Sequence, residues 1–361
     1  MPFVGMQVSH RGNSLCCVAK KSNHRSVKEF WQSDYLRDVR SKMSKGEQVG
    51  DCNYCYKAEE QGKISLRNHY NSVYKKLDTA QTPTAMDLDF SNLCNLQCVM
   101  CGPDRSSQWS RELGNKKISH TTKKELDDLC GISNKVRHLN IQGGEPSLMP
   151  EFEYYFQYLK EKNLIKNIEL DCISNLTNIN NKFYQLLNDF KSVNLNASID
   201  SFGRTNDYIR YPSNFKKIEQ NLLELSEKNI QINLQITLQV LSMFNFSEFL
   251  HWINDIQIRF NQKNKILGLN LSYVEQPSYL CIQNASKKLK QKFIQDVQKF
   301  IPNKHIRYNL KFMLELKNLE KTLLQSHKDS DNDELISYIN ILDTRRNIKI
   351  TNYIPDFYEY L

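Results

Sequence analysis

A chain of 361 residues, 40% hydrophobic and 25% charged, has globular composition and room for a large core or two domains. No run approaches the roughly 18 apolar residues of a membrane span, and Met1 to His10 lack the apolar stretch of a signal peptide, so a cytoplasmic protein with no membrane partner is expected. The formal charge of +9 is spread over lysine-rich stretches such as 286–299, with no basic run interleaved with aromatics; it permits a nucleic-acid partner and does not demand one.

Ten cysteines in adjacent, x2 and x3 groupings look like metal ligands rather than disulfides. The first four fall in residues 1–84. Gly12, the pair Cys16-Cys17 and then Cys52-x2-Cys55 frame a predicted helix over 26–45, with Phe30, Trp31, Tyr35, Leu36, Val39 and Met43 at near-helical spacing. Two pairs of thiols suggest a metal site, and either an iron–sulfur cluster or a structural zinc is served by the same four ligands.

From residue 85 onward strands and helices alternate. The predicted strands are 85–90, 136–142, 168–175, 193–200, 232–240 and 266–274, separated by helix-length segments such as 151–162, 214–228 and 246–260. Repeated βα units mean an α/β fold with a parallel sheet, and six of them suggest a partial (β/α)6 TIM-like barrel. A parallel strand covered on both faces reads as a continuous apolar run. Here Leu195, Ala197 and Ile199 alternate with Asn196, Ser198 and Asp200, and Leu234, Ile236 and Leu238 with Gln235, Thr237 and Gln239. The apolar rows are expected under helices, and the polar rows lining a channel open to cofactor and substrate. Residues 285–361 begin with a helix over 286–300 and end in Tyr353, Phe357, Tyr358 and Tyr360; they are expected to complete or cap the barrel mouth.

Directly after the first of these strands comes Cys94-x3-Cys98-x2-Cys101. Three thiolates can hold three corners of a four-iron four-sulfur cluster and leave the fourth iron open for a ligand. No nearby histidine stands at zinc-ligand spacing. After the next strand comes Gly143-Gly144-Glu145-Pro146, where glycines allow close backbone approach. Together these motifs resemble the radical S-adenosylmethionine (SAM) enzymes. The resemblance implies a cluster on Cys94, Cys98 and Cys101 whose open iron chelates SAM, so that one electron breaks the S–C5′ bond and releases a 5′-deoxyadenosyl radical. Met100 stands where many members carry an aromatic residue. The same resemblance assigns Gly143, Gly144 and Glu145 to the SAM ammonium, Ser174 and Asn175 to the ribose, and Ser198, Asp200 and Arg210 to the ribose or carboxylate, all at C-terminal strand ends.

The N-terminal order of glycine, Cys16-Cys17, a Phe30-Trp31 helix with Arg37 and Arg40, Gly46-Glu47 and Cys52-x2-Cys55 resembles the auxiliary-cluster modules called SPASM or twitch domains. Such modules usually follow the barrel; this one precedes it and lacks the cysteines of a full set. The expected organisation is a metal-binding module over 1–84, the barrel over 85–284 and a helical cap over 285–361. No catalytic base is nameable, and Cys281 is the only weak candidate for a hydrogen donor.

The expected function is a radical SAM oxidoreductase or modifying enzyme, fed by an electron donor such as flavodoxin or ferredoxin and acting on a peptide. The alternatives are the same chemistry on a sugar, nucleotide or nucleic acid, and a non-catalytic zinc or iron–sulfur interaction protein.

Overall fold

The computed structural model describes residues 2–60, 62, 64–73, 82–115, 118–302, 310–325 and 332–361. Its strands are β1 (Gly5–Ser9), β2 (Ala85–Asp89), β3 (His138–Gln142), β4 (Glu169–Ser174), β5 (Ser192–Ser198), β6 (Gln231–Leu238) and β7 (Gly268–Tyr273), ordered in the sheet as along the chain. The helices are α1 (Val27–Trp31), α2 (Asp34–Ser44), α3 (Asn53–Glu60), α4 (Leu66–Val73), α5 (Ser107–Glu112), α6 (Lys123–Gly131), α7 (Pro150–Glu161), α8 (Lys182–Leu186), α9 (Gly203–Ile209), α10 (Phe215–Leu225), α11 (Phe246–Gln262), α12 (Lys287–Lys299), α13 (Leu310–Gln325) and α14 (Asp333–Arg346). The α/β class and the six expected strands are present, and β1 is a seventh. Among the described residues, no helix is long and apolar enough to cross a membrane.

The chain divides into two compact units. The first comprises Met1–Leu93, Lys117–Cys172 and Asn180–Val193. Here β1 pairs in parallel with β2, and β2 with β3, which pairs with β4 as far as Cys172. So β1, which falls in the segment expected to be a separate module, is a sheet strand. Gly5 makes that pairing feasible, since a Cβ there would lie 2.2 Å from the Ala85 carbonyl oxygen. The core is aromatic: Phe90, Phe152, Tyr155, Phe156 and Phe183 are fully buried, with the Phe90 and Phe152 rings 4.5 Å apart. The helix expected over 26–45 is broken in two. Ser33 Oγ donates to the Phe30 carbonyl (2.8 Å) and accepts from the Leu36 amide (3.2 Å), which ends α1 and caps α2.

The second unit comprises Cys94–Lys116, Ile173–Ile179 and Asn194–Leu361. β5 pairs with β6 and β6 with β7, again in parallel. Leu195, Ile199, Leu234 and Leu238 are all completely buried, as the alternation predicts. On the other face the polar side chains bind one another across the strands. Asn233 and Asn270 both donate to Asn196 Oδ1 at 3.2 Å, and Gln235 donates to Ser272 Oγ at 3.1 Å. Asp200 and Gln239, expected to face solvent or ligand, are fully buried instead.

Candidate active site

The glycine loop belongs to the first unit and is built by close packing. After β3, Gly143 adopts φ +134°, and a Cβ on Gly144 would sit 2.2 Å from the Leu93 carbonyl oxygen. Gly144 and Glu145 amides donate to the carbonyls of Ser91 (3.1 Å) and Leu93 (2.7 Å), so the loop rides on the backbone that leads to the cysteine motif. Glu145 is buried, and its Oε1 accepts from the Ser147 hydroxyl (2.6 Å) and amide (3.3 Å), capping the short turn Pro146–Leu148. At the end of β2, Asp89 is buried and paired with Arg11 (2.9 Å).

The cysteine loop belongs to the second unit. Its backbone is held at nearly every residue. Cys94 amide donates to Ser107 Oγ (3.2 Å), Ser106 Oγ donates to the Leu96 carbonyl (2.5 Å), and Trp109 Nε1 donates to the Cys98 carbonyl (2.8 Å). On another side, the amides of Gln97 and Val99 donate to the carbonyls of Tyr211 (2.5 Å) and Ile209 (2.8 Å). Met100 packs against Cys94, Leu96 and Cys98.

Electrostatics at the thiols is set by one cation. Arg210 is buried, its Nε 2.7 Å from Asp200 Oδ2 and its Nη1 4.0 Å from Cys98 Sγ. Burial alone would lower its pKa, yet Asp200 and the Cys98 sulfur hold it above the usual arginine value. Cys101, which is exposed, accepts a hydrogen bond from Cys98 and feels Arg210, so its pKa falls; the same bond and burial push Cys98 up. Asp200 Oδ1 accepts from the Thr237 amide (2.8 Å). Asn175 Nδ2 donates to Asn95 Oδ1 in the cysteine loop (2.9 Å), and Ser174 Oγ accepts from the Leu176 amide (3.1 Å). Ser198 is buried at the end of β5. The second unit therefore gathers Cys94, Cys98, Cys101, Asn175, Asp200 and Arg210 into one bonded constellation.

Residues 88–256 match the family described as Radical SAM superfamily. Residues 88–256 are a radical SAM domain. Superfamily members are enzymes whose cofactors are a four-iron four-sulfur cluster and SAM. The chain is 25% identical over 157 residues to the "Sporulation killing factor maturation protein SkfB" of Bacillus subtilis (strain 168), covering 43% of this chain and 36% of that protein. It is 25% identical over 187 residues to the "S-adenosylmethionine-dependent nucleotide dehydratase RSAD2" of Siniperca chuatsi, covering 49% of each. The chain thus spans half or less of the length of these curated relatives. Among solved structures it resembles native anSMEcpe with bound AdoMet and Kp18Cys peptide, with TM-score 0.41 and 18% identity over 59% of this chain and 58% of that one.

The N-terminal cysteines lie in the first unit. Cys16, Cys52 and Cys55 line a cavity of about 500 Å³ together with Leu15, Tyr56 and Tyr70. Burial, and then the neighbouring Cys16 and Cys55, push the Cys52 thiol up to about 11; burial and Asp87 do the same to Cys17. Among the described residues, no three His, Cys, Asp or Glu side chains converge closely enough to hold a single metal ion. A cluster asks less of its thiols, since each binds a different iron. Cys281 sits in the turn after β7, where its thiol donates to the Pro277 carbonyl (3.5 Å) and burial raises its pKa, the reverse of a reactive thiol.

Sequence reasoning missed the residues that grip the cysteine loop from afar. Tyr338 OH donates to the Val99 carbonyl (2.6 Å) and Arg346 Nη2 to the Gln97 carbonyl (2.9 Å). No periodicity or motif marks them, because their partners lie more than 200 residues earlier.

Proposed function

We propose that this chain is a radical SAM enzyme in which Cys94, Cys98 and Cys101 ligate a four-iron four-sulfur cluster. The observation that carries the reading is the eight-residue cysteine loop, fixed along its backbone and set beside the buried cation of Arg210. A donor set of three thiols next to a fixed positive charge fits a cluster of net negative charge. When bound, cluster and SAM supply one-electron cleavage of the S–C5′ bond and hydrogen abstraction from substrate. In this reading Arg210 and Asp200 hold one another in place so that the guanidinium stays on the cluster side, and Asn175 fixes the loop through Asn95. Gly143 and Gly144 let backbone carbonyls approach the SAM ammonium, with Glu145 buried behind them. Ser174 and Ser198 complete the SAM contacts.

The substrate we propose is a peptide, on the support of the relative named as a maturation protein. A nucleotide is the second reading, favoured by the relative named as a nucleotide dehydratase. Cys16, Cys17, Cys52 and Cys55 are proposed to hold a second centre within residues 1–84, an auxiliary cluster or, were the thiols to draw closer together, zinc, ahead of a SAM-binding region over 85–284 and a closing segment over 285–361. The electron would come from a flavodoxin or ferredoxin, and buried free thiols suit a cytoplasmic setting. Anaerobic loading with iron and sulfide, followed by dithionite and SAM, tests the reading: about four irons at the central loop and release of 5′-deoxyadenosine are expected. Full metal uptake without any SAM cleavage would leave the non-catalytic alternative instead.

A further inference from the structure

α14 makes three separate contacts with the elements that carry the candidate site, all within the second unit. Tyr338 OH donates to the Val99 carbonyl (2.6 Å). Two turns later Arg346 Nη2 donates to the Gln97 carbonyl (2.9 Å), while its Nε lies 3.4 Å from Glu112 Oε2. Between them, Asp343 Oδ1 accepts from Tyr208 OH (2.8 Å), two residues before Arg210.

The Arg346 side chain is only 2% exposed, and its guanidinium is flanked by the rings of Trp109 and Tyr211, 5.0 and 4.9 Å from their centroids. Burying a guanidinium is unfavourable unless its surroundings repay the lost hydration. The repayment here comes from parts of the site: Trp109 binds the Cys98 carbonyl, and Tyr211 accepts from the Gln97 amide. The amides of Gln97 and Val99 are thus held by residues 209–211, at the end of α9 and the turn after it, and their carbonyls by α14. Residues between Cys94 and Cys101 are pinned from two sides.

We propose that α14 is a latch for the cysteine loop, with Arg346 as its principal positioning residue and Tyr338 as the second. Residues 333–346 then do more than cap the fold: they set the spacing of the thiols before any iron arrives. The role assigned to this rigidity rests on the cluster reading above, but the contact itself is measurable without iron.

The test compares the whole chain with Arg346→Gln, Arg346→Lys, Tyr338→Phe and, as a control for general loosening, Leu222→Ala in the fully buried face of α10. Hydrogen exchange of the metal-free protein should speed up about tenfold or more at the Gln97 amide in Arg346→Gln and at the Val99 amide in Tyr338→Phe, with β6 amides unchanged. Arg346→Lys keeps the charge without the planar fork and should fall between. After anaerobic loading, the reduced cluster of Arg346→Gln should give a broadened EPR signal with a weaker response to SAM, which a merely structural loss would not produce in the folded fraction. Unchanged exchange at Gln97 and Val99, or acceleration spread over β6 as in Leu222→Ala, would overturn the latch. If Arg346→Gln does not fold, Tyr338→Phe, which removes one hydroxyl, decides alone. A wild-type chain that takes up no iron sinks the cluster reading and leaves the exchange result standing.

Discussion

The two cysteine groups of this chain are built on opposite principles. Cys94, Cys98 and Cys101 lie in eight residues, on a loop whose backbone is tied at Cys94, Leu96, Gln97, Cys98 and Val99, with a buried arginine 4.0 Å from one sulfur. Cys16, Cys52 and Cys55 come from separated segments and line a cavity of about 500 Å³, where burial raises the thiol pKa values of Cys16 and Cys52. In the first group order is local and the charge that favours thiolate is supplied in advance. In the second, the fold gathers the thiols from separate segments, and burial pushes Cys16 and Cys52 up.

The sharpest way to break this contrast is to remove the central thiols. Replacing Cys94, Cys98 and Cys101 together by Ala should abolish SAM cleavage entirely; undiminished release of 5′-deoxyadenosine would end the assignment. Next in size are two stability effects that chemical denaturation can rank. Leu238→Ala opens a cavity in packed surroundings and should cost about 2–5 kcal/mol. Asp200→Ala strands the buried Arg210 and should cost about 3–5 kcal/mol. A smaller, separable change is expected from Cys52→Ala with Cys55→Ala: one metal centre lost by elemental analysis, while the central EPR signal and its response to SAM persist. Stoichiometric zinc with no extra iron in the parent protein would replace the auxiliary cluster by a structural ion.

The smallest effect concerns Asp87, buried in β2 near Cys16 and Cys17. Burial lifts its pKa to about 6, against hydrogen bonds from Asn140 and Tyr70. A carboxyl raised above its unfolded value of about 3.9 favours the folded state when protonated. Its contribution is full below that value and is lost as pH rises toward 6. Asp87→Asn should flatten the stability profile between pH 4 and 6 and stabilise the protein at pH 7, as urea titrations at each pH would register; a steeper profile in the variant would exclude this account.

Much of this was legible in the residues. Alternation in 193–200 and 232–240 marked the apolar rows that the structure buries, and the Gly143-Gly144 pair marked a loop with no room for side chains. What escaped has physical reasons. β1 is five residues, Gly-Met-Gln-Val-Ser, too short and too weak in β-branched residues to signal a strand; it depends on pairing with β2. The break between α1 and α2 turned on a single serine acting as a cap inside an otherwise continuous helical pattern. Asp200 kept its predicted face, but alternation specifies a face and says nothing of the Arg210 that closes over it. Arg346 was invisible for a similar reason: a partner 249 positions away leaves no trace in local spacing.

The aromatic ring beside Arg346 has an optical use. The chain has three tryptophans, and Trp109 alone donates its indole N–H to the cysteine loop; Trp31 lies under Arg40 and Trp252 stacks on Phe249. With Trp31 and Trp252 replaced by Phe, the remaining indole becomes a fluorophore placed inside the scaffold of the loop. Its emission maximum and lifetime would follow the arrival of iron, and any slackening of the C-terminal helix, in real time and without a label.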